Sequence, residues 1–177
     1  MASYIAMLRG INVGGRAKVS MADLRATFSD MGYGEVETYI QSGNVMFGAS
    51  GSATKLQSTI EQGLEDRFGL GIKVVLRTRA QLEKAIVDNP LADGRRDDAK
   101  LHVTFLGAAP ASSLVSSLDT GGFLPDEFAV RGRDVYVHCP EGYGRTKLNN
   151  AFFERTFGVT ATTRTVRTVT TLVAMAA

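Results

Sequence analysis

Two short segments of this chain carry the residue types that bind anions. The first is Arg9-Gly10-Ile11-Asn12-Val13-Gly14-Gly15-Arg16-Ala17-Lys18. It leaves an apolar run and leads into a helical pattern. Glycines let successive backbone N–H groups converge on an anion, and nearby Arg and Lys add charge. The spacing is neither GxGxxG nor that of a P-loop. Arg9, Asn12, Gly14, Gly15, Arg16 and Lys18 are the candidate ligand contacts, set against the plainer role of a strand-to-helix connection. Gln41 and Asn44 complete the site if their turn lies beside this loop.

The second segment is Gly142-Tyr143-Gly144-Arg145-Thr146-Lys147-Leu148. Thr146 is placed to cap a helix, and a glycine turn, a helix start and two cations suit an anion. Arg145 and Lys147 are the expected contacts. The Lys-Thr order and spacing differ from a Walker A ending. The plainer alternative is capping with surface cations. A third stretch, Thr162-Thr163-Arg164-Thr165-Val166-Arg167-Thr168, reads as a strand through Arg167, with the two arginines on opposite faces. Arg164 joins the candidate contacts, and Arg167 is placed to reach an open sheet face. An edge strand protected by charge is the plainer role.

Catalytic signatures are absent. His102 and His138 without a carboxylate cluster do not make a metal site. Cys139, before Pro140, reads as a small core residue. No Ser, His and acid set has a defensible spacing, and no motif names a cofactor. An enzyme assembled from both halves would have arginines for charge stabilisation but no base other than His102, His138 or a carboxylate such as Glu37.

The elements that must position these residues follow from periodicity. Ser3–Arg9 is a buried strand. Ser20 and Asp23 resemble a capping box, and Met21, Leu24, Phe28 and Met31 mark a helix stopped by Gly32. Val36–Gln41 and Val45–Phe47 form a hairpin around Ser42-Gly43-Asn44. Leu56, Ile60, Leu64 and Phe68 mark a second helix, Ile72–Arg77 a strand, and Thr78 with Gln81 a capping box opening a third helix that stops before Pro90. The order then recurs: a strand at Leu101–Leu106, a short helix at Pro110–Leu118, a hairpin of Phe128–Arg131 and Asp134–Cys139, a helix marked by Leu148, Phe152 and Phe157, the threonine-rich strand, and a last helix from Thr168. An offset of 90 aligns Ser42–Val45 with Gly132–Val135 and Arg77-Thr78 with Arg167-Thr168.

The expectation is an α+β chain of duplicated ferredoxin-like (βαββαβ) units, with antiparallel sheets and helices on one face of each. The first spans residues 1–88, a linker 89–100, and the second 101–177. Strand parity places Leu101, Val103, Phe105, Val130, Val135, Val137 and Cys139 toward the helices, with His102, Thr104, Arg131, Tyr136 and His138 on the open face. In the first half Val36, Ile40, Ile72, Val74 and Leu76 turn inward, and Glu37, Tyr39, Gln41, Lys73, Val75 and Arg77 outward.

Composition sets the outer bounds. The 177 residues are 44% hydrophobic and 21% charged, ordinary for a globular protein. The net charge of +2 does not by itself imply nucleic acid. Residues 131–177 carry seven basic against three acidic side chains, so the surplus sits beside the second glycine turn. One cysteine excludes an intramolecular disulfide and fits a reducing compartment. With no signal-peptide pattern and no apolar run of about 20 residues, the expectation is a cytoplasmic protein with no membrane partner.

Four segments carry a family resemblance. They are Tyr4–Gly15, Met21–Arg25, Thr38–Val45 and Gly144–Leu148. Over most of its length the chain resembles the bacterial family of uncharacterised proteins called domain of unknown function 1697. The resemblance implies a duplicated ferredoxin-like fold and no established activity or catalytic residues. It also exposes a departure. Where the family has Thr-Thr-Arg-Asn, another residue, then Asn-Thr-Val, this chain continues Thr162-Thr163-Arg164 with Thr165-Val166-Arg167-Thr168-Val169. Any role of those asparagines is altered here.

The expected function is binding of an anionic or phosphorylated small molecule through the basic glycine loops. A second reading is single-stranded nucleic-acid binding on an open sheet. Tyr39 and Tyr136 would stack bases, with Lys73, Arg77 and Arg131 on phosphates. It ranks below the first because Val45-Met46-Phe47 lacks the RNP1 pattern.

Overall fold

The computed structural model describes all 177 residues. Its first half runs β1 (Ala2–Leu8), α1 (Met21–Asp30), β2 (Gly34–Tyr39), β3 (Asn44–Ala49), α2 (Ala53–Phe68), β4 (Val74–Thr78) and α3 (Arg79–Val87). The second runs β5 (Leu101–Leu106), α4 (Ser112–Ser116), β6 (Glu127–Arg131), β7 (Asp134–His138), α5 (Asn150–Phe157), β8 (Ala161–Thr165) and α6 (Val166–Met175). Each half makes one four-stranded antiparallel sheet, in the orders β2-β3-β1-β4 and β6-β7-β5-β8. Both are the ferredoxin-like order expected from βαββαβ. The chain divides into two compact units, Met1–Leu82 with Leu172–Ala177, and Glu83–Thr171. The division falls inside α3. No helix is long and apolar enough to cross a membrane.

Local chemistry explains the element ends. Ser20 Oγ accepts from Asp23 N at 3.0 Å and donates to the Asp23 carboxylate at 2.9 Å, so α1 starts there. Thr78 and Gln81 cap each other reciprocally at the start of α3. Gly69 and Gly158 end α2 and α5 in the left-handed conformation that only glycine adopts at no steric cost.

The helix-side core of the first unit joins Leu24 and Phe28 of α1, and Leu56, Ile60 and Leu64 of α2, to Ala6, Leu8, Val45, Phe47, Val74 and Leu76 of the sheet. Phe47 is its aromatic centre, with Phe28, Tyr33 and Tyr4 rings at 5.2, 4.9 and 5.9 Å. The second unit packs Phe153 and Phe157 of α5 on Phe128, Val135, Val137 and Ala161.

Ile40, expected inward, lies beyond the end of β2 and is 46% exposed. The strand faces themselves differ from expectation in two ways. First, β5 is turned over. Thr104 lies opposite Val135 and Thr163, and His102 opposite Val137 and Thr165. Directly paired residues share a face, so His102 and Thr104 are on the helix side with the valines. Leu101, Val103 and Phe105 lie on the other face with Tyr136 and Arg164. Second, that other face is not open. Val103, Phe105 and Tyr136 are at most 1% exposed, and Ile5, Met7, Val75 and Arg77 of the first sheet are buried too. An apolar residue therefore does not mark the helix side here, and the parity rule had no polar face to anchor it.

The offset of 90 holds at the hairpins, where Ala6 pairs with Val45 and Thr104 with Val135. It becomes 87 in the last strand. Ile5 lies between Met46 and Arg77, and Val103 between Tyr136 and Arg164. Arg77 thus corresponds to Arg164. Arg167 is not in a strand at all but in the first turn of α6.

The segment 89–100 is held down despite its linker-like composition. Arg96 donates to both carboxylate oxygens of Glu127 on β6, at 3.0 and 2.8 Å, and to Asp93 at 2.7 Å. That bidentate pairing holds the Glu127 carboxyl below its usual range.

Candidate functional site

At one end of the first sheet, β1 runs out at Leu8 and β3 begins at Asn44. The backbone there is pinned before any side chain acts. Leu8 N donates to Gly43 O, and Arg9 N to Lys73 O, each at 2.9 Å. The Arg9–Lys18 loop then folds back on itself. Asn12 N donates to Ala17 O at 3.0 Å, and Arg16 N to Val13 O at 3.0 Å. Gly14 and Gly15 take φ of +58° and +74°, which makes Val13–Arg16 a tight turn of the type that needs two left-handed residues. The glycines serve this reversal.

Asn12 braces the loop. Its Nδ2 donates to Val19 O at 2.9 Å and to Gln41 O at 2.8 Å, and its Oδ1 accepts from Val19 N at 2.8 Å. One side chain so closes the loop and ties it to the β2–β3 turn. Its φ of +55° is one that asparagine tolerates. Replacing Asn12 with alanine should remove these three bonds and cost about 2 kcal/mol. Hydrogen exchange at the Val19 amide checks it; unchanged protection there would refute the bracing role.

The structure therefore brings Arg9, Asn12, Gly14, Gly15, Arg16, Lys18, Gln41 and Asn44 to one corner, but their parts differ. Arg16, Lys18 and the Gln41 side chain face solvent, and neither Arg16 nor Lys18 is engaged by a carboxylate. Arg9 is half-buried. Asn44 is fully buried, donating to Tyr39 O at 2.9 Å and Ser42 Oγ at 3.1 Å. It shapes the turn and offers no surface to a ligand. The α1 N-terminus is also taken. Ser20 Oγ caps it, and the Asp23 carboxylate in its first turn already places a negative charge there.

Arg145, Lys147 and Arg164 belong to the second unit. Arg145 ends a 3-10 turn, Tyr143–Arg145, and both it and Lys147 are exposed. Thr146 is not the helix cap. It is buried, donates to Asp126 Oδ2 at 2.7 Å and accepts from Leu148 N. Asn149 caps α5, accepting from Phe152 N at 2.9 Å. The local Leu148 and Phe152 spacing fits a start at either residue, so sequence did not separate them.

A hydroxyl network fastens this turn to the sheet. Tyr143 OH donates to Thr163 Oγ1 at 3.1 Å, and Thr163 donates to Asn150 Oδ1 at 2.7 Å. Thr163 has one proton, which is spent on Asn150, so Thr104 Oγ1 at 2.7 Å must be a donor to it. His102 stacks on Tyr143 at 4.8 Å between ring centroids. Burial pushes its pKa down, so the ring is neutral near pH 7, and Nδ1–H donates to Lys100 O at 3.3 Å. Arg164 is 7% exposed and donates to Thr162 Oγ1 and Thr163 O. Burial lowers its pKa to about 10, which leaves it cationic at neutral pH. Tyr136 is sealed, its phenol pKa raised by burial, so no base reaches it for stacking.

The family model described as "Protein of unknown function (DUF1697)" matches residues 1–136. A solved structure, that of the conserved bacterial protein SP0830 from Streptococcus pneumoniae, is similar with a TM-score of 0.74 and 25% identity, over 99% of each chain. No curated protein matches.

Proposed function

We propose that this chain, which belongs to the DUF1697 family, binds an anionic or phosphorylated small molecule at the corner formed by the Arg9–Lys18 loop and the β2–β3 turn. The observation that carries this reading is the braced loop, which holds Arg16 and Lys18 in solvent with no carboxylate to neutralise them. Ordering the backbone beforehand lowers the entropy lost on binding. An unneutralised pair of cations on ordered backbone suits a phosphate, through charge-assisted hydrogen bonds. Gln41, beside the brace, adds a neutral donor or acceptor for the rest of the ligand.

The test is a thermal-shift panel of nucleotides, sugar phosphates and inorganic phosphate at millimolar concentration. A ligand that stabilises the wild type should bind on the order of a hundredfold more weakly to the Arg16→Ala/Lys18→Ala double variant, whose own melting should be unchanged. No shift with any anion overturns the proposal, as does equal binding by the double variant.

The same strand order in both units supports an origin by internal duplication. The Streptococcus pneumoniae relative supports a bacterial source, and the single, buried cysteine is in keeping with a cytoplasmic setting.

A further inference from the structure

Few large apolar side chains stand in solvent on this chain, and two of them flank the brace between the loop and the β2–β3 turn. Val13 is 65% exposed and opens the Val13–Arg16 turn, and Ile40 is 46% exposed beside Gln41. The Asn12 Nδ2 bond to Gln41 O, at 2.8 Å, joins their immediate neighbours. Ile40 is also strained. Its φ is +52°, a left-handed conformation that a β-branched residue rarely adopts. Glycine or asparagine would hold the same backbone more easily. About half of the residue stays exposed, so burial offsets the strain only in part, and the backbone alone does not account for isoleucine at this position. Strained, exposed residues of this kind gather at ligand-binding segments.

We infer that the ligand of this corner is an organic phosphate: its anionic group lies on Arg16 and Lys18, and an apolar body attached to it covers Val13 and Ile40. This rests on the anion-binding reading above and narrows it. Inorganic phosphate satisfies the cations and leaves both apolar side chains wet. An aryl or nucleoside phosphate, or a phospholipid at a bilayer surface, satisfies both. Covering roughly 60 Å² of apolar surface should tighten binding about tenfold over the bare anion.

The experiment uses the full chain and three probes: inorganic phosphate, phenyl phosphate, and vesicles of phosphatidylcholine with phosphatidylglycerol. The variants are Val13→Ser and Ile40→Gly, the second of which relieves the left-handed strain and so should fold. Wild type should hold phenyl phosphate about tenfold more tightly than inorganic phosphate. Both variants should bring that ratio close to one and leave inorganic phosphate binding unchanged. Vesicle binding without phenyl phosphate binding, lost in both variants, supports the inference and assigns the apolar body to lipid. Equal binding of phenyl and inorganic phosphate by the wild type overturns the inference but spares the anion reading. So does a preference, for either organic probe, that survives in both variants. If no probe binds, the inference falls, and the anion reading falls with it only when the nucleotides and sugar phosphates of the panel fail as well.

Discussion

Replacing Gly43 with alanine is expected to cost about 3 kcal/mol of stability. Two separate effects add. Gly43 has φ of +85°, where an L side chain strains the backbone by about 1 kcal/mol. A Cβ there would also lie 2.6 Å from Ile11 Cδ1 and 3.0 Å from Leu8 Cβ. Ile11 and Leu8 are at most 1% exposed, so Ile11 would have to move within the core, and Leu8 Cβ is fixed to the strand. Overpacking of this kind costs about 1–3 kcal/mol. Gly71 is the control, since its backbone is ordinary and a Cβ there would meet nothing within 4 Å. Gly71→Ala should stay within about 0.5 kcal/mol of wild type. Urea denaturation of both variants checks the pair, and equal midpoints would defeat the explanation. Because Leu8 N donates to Gly43 O, the Leu8 amide should also lose exchange protection in Gly43→Ala.

The larger loss should come from Phe47→Ala, about 3–5 kcal/mol. Phe47 is 1% exposed in the centre of β3. Its ring meets Phe28 edge-on, tilts against Tyr33 and stacks on Tyr4, so one truncation removes contacts to α1, to the chain after α1 and to β1. Such ring pairs add to the burial of apolar area. Phe47→Leu retains most of the volume and should cost only about 1–2 kcal/mol. Denaturation midpoints together with amide exchange in β3 read the effect. A loss below about 1 kcal/mol for the alanine variant would mean that Phe47 is not the centre of this core.

Much of the architecture could be read from the chain because short-range signals agree with one another. Ser20 with Asp23 and Thr78 with Gln81 form the caps their spacing suggests, and Gly69 stops α2 where the apolar pattern ends. The faces of β5 could not be read that way. Alternation shows which residues share a face but not which face meets the helices, and burial of both faces removes the usual polar marker. The last strand suffered from a three-residue shortening between β7 and β8, which hides the correspondence of Arg77 with Arg164 from a constant offset. At the candidate site, the cations and glycines were visible as composition. What each does was not. Asn12 and Asn44 look alike as letters, yet one braces an exposed loop and the other is sealed in a turn. Nothing in the letters marks Ile40 as left-handed, because that conformation is imposed by the turn and the brace together.

The sealed strands leave this protein little freedom to diversify along its sheets. A new side chain in the middle of β1, β3, β5 or β7 is judged first by whether it fits. The loop tips at residues 13–18 and 40–42 escape that test, because their backbone is secured from beneath by Asn12 and Gly43. Substitutions at these tips should therefore change the surface they present almost independently of folding, and loop exchange between relatives should leave the scaffold undisturbed.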